Sequence, residues 1–482
     1  MAFLASVTLL LAVTAILAPA LTIAFQSNQQ TTPSFLPDIK AFFLTSTQTP
    51  PPESLCNSFG FRCFAPAAMA GSYNYAGLHA SGDEGQGKTI ALVDSYGSAS
   101  IASDLNVFNT EFGLPHMCGE TSVTCTSGMP TFKILQVQGS PAPKCPPPTS
   151  KGTGLEDKCA WAGEVSLDVE WAHATAPLAN ILLVTTPTAE TLGVQGLQQM
   201  MHAIQQVVDN HQADVVSMSF STGEEAFNGG LQGSIKQLRQ AFIDAQANDV
   251  TLFSSSGDGG TANSMKTPVK NPNLIPYPSV GWPASDPLVT GVGGTSLCTD
   301  TTTGTTIDTI SPPTSCESGP RETGWTYSGG GYSILFSRPT FQDVLPPGSS
   351  YVGSSVGAPG PNVNMRGVPD IAYQADPNTG VLVYLQGWYT FGGTSSGSPQ
   401  WAGIIAMADQ IAGRDLGYIN PALYQIALNP VKYAADFFDV TTGCNQAVAS
   451  IPGYCASTGW DAVTGLGTPN VANLIPDLIA AT

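Results

Sequence analysis

The chain has 482 residues, of which 42% are hydrophobic and only 11% are charged. This composition is typical of a globular protein with a sizeable core and excludes a mainly disordered chain. The formal net charge of −19 disfavours nucleic acid and acidic membrane surfaces as partners, because both are themselves negatively charged.

The N-terminal segment predicts export. Residues 1–25 are almost wholly apolar and predict a signal peptide, with a small-residue cleavage site at Ala18-Pro19-Ala20. They lack a basic start and are long enough for an uncleaved anchor, so an outward-facing, membrane-anchored protein is the alternative to a secreted one. Residues 26–59, which begin with a stretch rich in Gln, Thr, Ser and Pro, predict a linker. Residues 60–482 are then a single domain, expected to be monomeric.

The ten cysteines fall into close neighbours along the chain. No C-x-x-C occurs, which disfavours a zinc site or a thioredoxin-like redox motif. We expect five local disulfides in an oxidising compartment, although buried thiols are the alternative. The neighbours are Cys56/Cys63, Cys118/Cys125, Cys145/Cys159, Cys298/Cys316 and Cys444/Cys455.

From about residue 60 to the end, short β-branched runs alternate with helical ones. This pattern predicts an α/β fold with a mostly parallel sheet and helices on both of its faces. The predicted strands are Lys88–Asp94, Ala179–Thr185, Asp214–Phe220 and Asp249–Ser255. The predicted helices are Glu164–Thr175, Ala189–Asn210, Leu231–Ala247 and Ser398–Ile411.

Ser395 is the candidate nucleophile. It lies in a glycine-rich turn, Phe391–Pro399, that runs directly into an apolar helical stretch. A serine in such a turn has backbone N–H groups nearby that can receive a developing oxyanion. A simple helix N-cap is the alternative reading of the motif.

The histidines exclude several hydrolase classes. Residues around Ser395 spell G-x-S-x-G, but an α/β-hydrolase needs a histidine after its serine, and all five histidines precede Ser395. None of them is followed by glycine, as is usual for the base of a subtilisin-type enzyme. H-E-x-x-H and paired D-T-G or D-S-G motifs are also absent, so carboxylates remain as candidate bases.

Glu164 and Asp168 are the candidate carboxylate pair. Residues four apart share one face of a helix, and like charges there destabilise it unless the two carboxyls share a proton. A solvated acidic face is the alternative, but the interleaved apolar residues Val165, Leu167 and Val169 argue against it. His173 lies about 180° round the helix from Glu164, which predicts a surface or packing role.

Two further aspartates follow predicted strands. Asp258 follows the strand at Asp249–Ser255, at the edge of a parallel sheet where active sites gather. If protonated, it could donate a hydrogen bond to an oxyanion, although an Asp-Gly turn is the plainer reading. Asp94 ends the first strand, and we assign it a structural or positioning role.

These motifs resemble those of the sedolisin, or serine-carboxyl, peptidases, which have a subtilisin-like fold and include the lysosomal tripeptidyl peptidase. The family's Glu-x-x-x-Asp helix pair, Ser-Gly-Asp turn and Gly-Thr-Ser-x-x-x-Pro motif all occur here in the family's order, and the likeness covers roughly residues 60–480. Further similar segments are Thr89–Gly97, Val216–Ser219, Trp282–Ser285, Gly291–Thr295, Gly329–Ser333 and Gly367–Ala372. The family usually carries a large N-terminal propeptide, for which residues 26–55 are too short.

The resemblance also implies one structural Ca²⁺ near the C-terminus. Asp439 and Asp461 would supply side-chain oxygens, and Val440, Ser457 and Gly459 would supply backbone oxygens. Hard oxygen ligands of this kind suit Ca²⁺. Without the resemblance, the two aspartates would be assigned to ordinary turns.

The implied function is a secreted peptidase, active at acid pH, that cleaves protein or peptide substrates through an acyl-enzyme. Ser395 would be the nucleophile and Glu164 its base. Asp168 would orient Glu164, and protonated Asp258 would stabilise the oxyanion. The alternatives are a catalytically inactive, secreted binding protein on the same fold and a neutral-pH esterase. The sequence leaves endopeptidase and tripeptidyl modes both open.

Overall fold

A computed structural model describes residues 40–139, 142–145, 156–190, 194–227, 229–264, 274–309, 312–313, 316–317, 319–343, 345, 349, 355–356 and 364–482. The predicted signal peptide or anchor, residues 1–25, lies outside the described residues. Within these ranges no helix is long and apolar enough to cross a membrane.

The secondary structure alternates between strands and helices along the chain. The strands are β1 (Lys40–Thr45), β2 (Arg62–Phe64), β3 (Thr89–Ser95), β4 (Phe132–Gln136), β5 (Asn180–Thr186), β6 (Val215–Met218), β7 (Thr222–Gly223), β8 (Thr251–Ser255), β9 (Gly281–Trp282), β10 (Thr290–Leu297), β11 (Glu322–Gly324), β12 (Gly331–Ser337), β13 (Ser355–Val356), β14 (Met365–Val368), β15 (Ile371–Gln374), β16 (Thr379–Tyr384), β17 (Trp388–Gly392), β18 (Phe437–Phe438), β19 (Gly453–Tyr454) and β20 (Thr468–Pro469). The helices are α1 (Glu53–Ser58), α2 (Pro66–Ser72), α3 (Ala76–Ser81), α4 (Ile101–Phe112), α5 (Glu156–Thr175), α6 (Val194–Asp209), α7 (Ile235–Leu238), α8 (Gln240–Ala247), α9 (Gly397–Ala412), α10 (Asn420–Ala427), α11 (Pro430–Asp436) and α12 (Val471–Ala481).

The main sheet is parallel, as the alternating pattern predicts. Its parallel strands run in the order β4, β5, β3, β6, β8, β10 and β15, and β11 adds an antiparallel strand to β10. Each of the four strands predicted from sequence is present in this sheet, with ends that differ by at most two residues. Because all parallel strands end at one edge, the residues that follow β3, β6, β8 and β10 are brought together there.

Helices cover both faces of the sheet, because alternate strand residues point to opposite sides. Ile90 and Leu92 of β3 belong to the hydrophobic core that contains α5 and α9. Ala91 and Val93 belong to a second core built with α6 and α8. The α/β fold class expected from the sequence, with helices on both faces of a mostly parallel sheet, is therefore confirmed.

Part of the predicted linker is ordered and packed. Strand β1 pairs antiparallel with β17 in a second sheet of order β1–β17–β16–β2. Helix α1 carries Cys56, which is bonded to Cys63. Residues 40–59 therefore pack with the domain that the sequence analysis began at residue 60. The apolar run of β1, residues 41–44, is too short to predict a strand next to the preceding polar stretch.

All five disulfides predicted from neighbouring cysteines are present. They join Cys56 to Cys63, Cys118 to Cys125, Cys145 to Cys159, Cys298 to Cys316, and Cys444 to Cys455. Disulfides of this kind persist in oxidising compartments, which supports an extracellular or lysosomal location over a cytosolic one.

Candidate active site

Ser395 lies in a tight turn between a strand and a helix. Strand β17 ends at Gly392, the 3₁₀ turn Thr394–Ser396 follows, and α9 begins at Gly397. Between strand and turn, Gly393 has a φ of 116°, a conformation that side chains with a Cβ rarely adopt. Its N–H donates to the carbonyl oxygen of Ala375 at 2.6 Å, which fixes the turn against the end of β15. Ser395 is fully buried in this setting.

Helix α5 carries Glu164 and Asp168, and both side chains are completely buried. The solvated acidic face considered from the sequence is therefore wrong. The hydroxyl of Ser219, just after β6, donates to Oδ1 of Asp168 at 3.0 Å. The helix packs against β3, α9 and the Thr394–Ser396 turn. The candidate bases and the candidate nucleophile are thus on adjoining elements.

A glycine in α9 permits this close packing. A Cβ at Gly403 would lie 2.8 Å from the Cβ of Thr175, at the end of α5. Real Cβ atoms do not approach other atoms so closely, so any larger residue would push the two helices apart. The contact holds α5 against α9, the helix that begins just after Ser395.

Asp94 joins the buried carboxylates. Burial raises its pKa to about 8, and neither carboxylate oxygen has a hydrogen-bond partner among the described residues. The pKa of Asp168 is raised well above its usual range, first by burial and then by the neighbouring charge of Asp94. Both shifts favour the protonated, neutral form of the two aspartates in acid. The sequence signal for Asp94 was its position at the end of a parallel strand.

Asp258 contacts the nucleophile turn from the side of β8. The backbone N–H and the hydroxyl of Thr394 donate to Oδ1 of Asp258, at 2.8 and 3.0 Å. The N–H of Gly257 donates in turn to the Thr394 hydroxyl oxygen at 3.0 Å. Thr394, which the sequence analysis did not single out, therefore ties Asp258 to the residue next to Ser395.

His173 takes the packing role that the sequence analysis allowed, and not the surface role. It is fully buried, and its Nε2 lies 2.9 Å from the carbonyl oxygen of Pro115. Burial lowers its pKa to about 4. It lies on a different face of α5 from Glu164, as the helical spacing requires.

The candidate Ca²⁺ ligands lie close together near the C-terminus. The N–H of Gly459 donates to both oxygens of Asp439, at 3.2 and 3.0 Å, and that of Ser457 donates to Asp461 at 3.1 Å. Burial raises the pKa of Asp439, and it raises that of Asp461 to about 7. Carboxylates whose pKa is raised by burial are more readily ionised beside a compensating cation.

The carbonyl groups also fit a hard cation. Among the described residues, no hydrogen bond is donated to the carbonyl oxygens of Val440, Ser457 or Gly459. The described residues also include no group of three or more His, Cys, Asp or Glu side chains able to hold a metal. A Ca²⁺ site does not require one, because backbone oxygens can complete its coordination.

Known proteins resemble this chain in sequence and in structure. A family model described as "Subtilase family" matches residues 160–421. Kumamolisin from Bacillus sp. (strain MN-32) is 30% identical over 430 residues, 89% of this chain and 66% of kumamolisin. Human tripeptidyl-peptidase 1 is 28% identical over 339 residues, 66% of this chain and 52% of that protein. The structure of Pseudomonas sedolisin, a serine-carboxyl proteinase complexed with two molecules of pseudo-iodotyrostatin, covers 86% of this chain and 98% of its own, with a TM-score of 0.61 and 25% identity.

The fold and these similarities define a class, the serine peptidases of subtilisin-like fold. The chain belongs to the subtilase family, within its serine-carboxyl (sedolisin) group. It spans only 66% and 52% of the lengths of the two curated relatives named above.

Proposed function

We propose that this protein hydrolyses peptide bonds at acid pH, with Ser395 as nucleophile and Glu164 as its base. The observation that carries the proposal is the convergence on one turn. Helix α5, with its two buried carboxylates, packs against Thr394–Ser396, and Asp258 is hydrogen-bonded to Thr394. Such a site needs no histidine.

In the first step the Ser395 Oγ attacks the carbonyl carbon of the substrate, and its proton passes to Glu164. Asp168 carries its own proton and orients Glu164. Negative charge develops on the former carbonyl oxygen. The Ser395 backbone N–H and protonated Asp258 stabilise that charge, because preorganised donors act strongly in a dry site.

In the second step the C–N bond breaks, and the leaving amine takes the proton from Glu164. An ester between Ser395 and the acyl part of the substrate remains. Water then attacks this ester and gives a proton to Glu164. The Ser395 oxygen leaves, recovers the proton, and the site returns to its starting state.

The setting of the enzyme completes the proposal. Five disulfides and the apolar N-terminal segment support secretion, and the acidic composition suits an acidic medium. Protein or peptide chains are the proposed substrates. Asp439, Val440, Ser457, Gly459 and Asp461 would hold one Ca²⁺, which would stabilise the folded C-terminal loops and take no part in the chemistry.

Digestion of a denatured protein at pH 4, with the cleavage sites mapped by mass spectrometry, tests the proposal. Ser395→Ala should reduce cleavage at least about a thousandfold and leave the fold intact. Ser396→Ala, in the same turn, is the matched control and should retain activity within about tenfold of the wild-type protein. A peptide aldehyde should form an adduct with the wild-type protein and not with Ser395→Ala. If the wild-type protein neither cleaves nor forms the adduct, the inactive binding protein is the better description.

A further inference from the structure

A cavity of about 640 Å³ opens at the edge of the main sheet, beside β10 and β11. Ser296, Trp325, Tyr327, Asp376 and Asn378 are among the residues that line it. Its volume falls within the range of cavities that bind small ligands, which is roughly 300–1,000 Å³. It is therefore large enough to take one long side chain together with water.

Two contacts fix this cavity next to the nucleophile turn. A Cβ at Gly294 would lie 3.0 Å from the Trp325 ring and 3.3 Å from Cγ2 of Thr394, so both side chains flank the same glycine. Asp376 directly follows Ala375, whose carbonyl oxygen accepts the N–H of Gly393 at 2.6 Å. A third contact connects the cavity to the segment that carries Asp258.

That third contact joins the cavity to the Asp258 loop. The N–H of Gly260 donates to the carbonyl oxygen of Tyr327 at 2.9 Å. The cavity is thus held by the two segments that carry Ser395 and Asp258. A peptide placed over Ser395 would bring one of its neighbouring side chains to the cavity mouth.

The lining of the cavity combines a carboxylate with aromatic rings. The Ser296 hydroxyl donates to Oδ2 of Asp376 at 2.7 Å, and the backbone and side-chain N–H groups of Asn378 donate to Oδ1 at 2.9 and 2.8 Å. These bonds hold the carboxylate in one orientation. The rings of Trp325 and Tyr327 lie 5.5 Å apart, centroid to centroid. No lysine, arginine or histidine is among the described residues that line the cavity.

A fixed carboxylate beside aromatic faces favours a cation. A guanidinium or ammonium group gains from the carboxylate by charge and hydrogen bonding, and from an aromatic face by the cation–π interaction. An acidic side chain would be repelled by Asp376. A purely apolar side chain would leave the polar groups of Ser296 and Asn378 without water.

We propose that this cavity is a specificity subsite that takes an arginine or lysine side chain of the substrate, close to the bond that is cleaved. The inference rests on the proposed peptidase function, which it extends by naming the substrate class. Asp376 supplies the charge, and Trp325 and Tyr327 supply the aromatic wall. Arginine and lysine keep their charge in acid, and the carboxylate of Asp376 attracts them at any pH at which it is ionised.

The test compares peptides in which one arginine is replaced by citrulline, a neutral side chain of nearly the same shape. The arginine is moved through the positions on either side of the cleaved bond, and kcat/KM is measured at pH 4. At one position the arginine peptide should be cleaved about tenfold faster than the citrulline peptide. Asp376→Asn should reduce that ratio to nearly one, and Tyr327→Leu should reduce it about threefold.

Asp343→Asn is the matched control, because it removes one carboxylate charge from an exposed residue that does not line the cavity. It should leave the ratio unchanged. A wild-type enzyme that cleaves the peptides with a ratio below about two at every position overturns the inference and leaves the proposed function standing.

A protein that cleaves no peptide overturns the proposed function instead. The subsite is then judged by calorimetry on Ser395→Ala with the same two peptides. Tighter binding of the arginine peptide, lost in Ser395→Ala/Asp376→Asn, supports the inference, and equal binding of both peptides overturns it.

Discussion

The two carboxylate oxygens of Asp258 have different roles in the proposed mechanism. Oδ1 accepts two bonds from Thr394, and the proposed mechanism puts the proton on the other oxygen, Oδ2. Asparagine can reproduce this pattern, with its carbonyl oxygen towards Thr394 and its amide towards the oxyanion, but it does not titrate. The proton on Asp258 is therefore the feature that the substitution changes.

We expect wild-type activity to follow a bell centred at roughly pH 3–5, rising as the Glu164/Asp168 pair ionises and falling as Asp258 ionises. Asp258→Asn should lower the maximal rate and extend activity to higher pH. A kcat/KM profile of both proteins measures this. A wild-type optimum at pH 7 or above would exclude the carboxyl mechanism, and an unchanged alkaline limb in Asp258→Asn would assign that limb to the pair on α5.

Asp94 makes a different prediction, because its effect is on stability more than on rate. Its pKa in the folded protein is raised to about 8 by burial, whereas an unfolded aspartate ionises near ~3.9. The folded state is therefore penalised progressively as the pH rises between these values. Asp94→Asn removes that penalty. Relative to the wild-type protein, Asp94→Asn should raise the Tm more at pH 7 than at pH 4. Differential scanning calorimetry at both pH values tests this. An equal change at both pH values would show that the pKa of Asp94 is not raised in the folded protein.

At the scale of elements, the sequence predicted the central strands well, because parallel strands buried on both faces are short, continuous apolar runs. Helix α5 was predicted to begin at Glu164 but begins at Glu156, and Gly163, which disfavours a helix, lies inside it. The helix predicted over Leu231–Ala247 is broken into a 3₁₀ turn, α7 and α8. Periodicity does not reveal such breaks, which depend on how the segment packs against α6.

The residues of the candidate site could be predicted where each one belongs to a recognisable motif in the sequence. Glu164, Asp168, Asp258 and Ser395 could be selected because each sits at a recognisable helix, strand end or turn. The contact of Thr394 with Asp258 and the effect of Asp94 on Asp168 could not be predicted, because both depend on which strands are neighbours in the sheet. The hairpin of β16 and β17, which delivers the turn, was also missed, since its residues lack a strong turn signal.

The C-terminal loops that carry the candidate Ca²⁺ ligands also form part of the cavity wall. Thr442 and Gly443 line the cavity, and the N–H of Gly324 donates to the carbonyl oxygen of Thr442 at 2.7 Å. A cation held by Asp439 and Asp461 would therefore stabilise this wall. Since it would bind the folded state alone, its removal should lower the free energy of unfolding.

We expect chelation with EDTA to lower the Tm by several degrees, corresponding to roughly 3 kcal/mol for an ion present at a hundred times its Kd. Metal analysis of the purified protein should find about one Ca²⁺ per chain. Asp439→Asn should have the lower Tm without EDTA and should not respond to it. If EDTA leaves the Tm of the wild-type protein unchanged and no Ca²⁺ is found, the Asp439/Asp461 site is excluded.

At the scale of the whole molecule, burial raises the pKa of several carboxyl groups. Burial raises the pKa of Asp104 to about 6, that of Glu224 to about 7 and that of Asp409 to about 8. These residues lie on α4, after β7 and on α9, so the feature extends well beyond the candidate site. Near Asp409, the cation of Lys88 opposes the effect and the charges of Asp415 and Asp214 add to it. We therefore expect the folded protein to be most stable at pH values at which these groups keep their protons.

The sign of the resulting pH dependence follows from proton binding. Between about pH 4 and pH 8 the folded protein holds protons that the unfolded chain has released, so the free energy of unfolding falls as the pH rises. The formal charge of −19 at neutrality adds self-repulsion in the same direction. We expect the Tm to decrease by on the order of 10 °C from pH 4 to pH 7. Calorimetry on Ser395→Ala, which avoids self-digestion, measures this with a fixed excess of Ca²⁺ at every pH. A Tm that is constant or rises over this range would mean that the buried carboxyls are ionised in the folded protein, and the protonated states assigned to Asp94 and Asp168 would then be wrong as well.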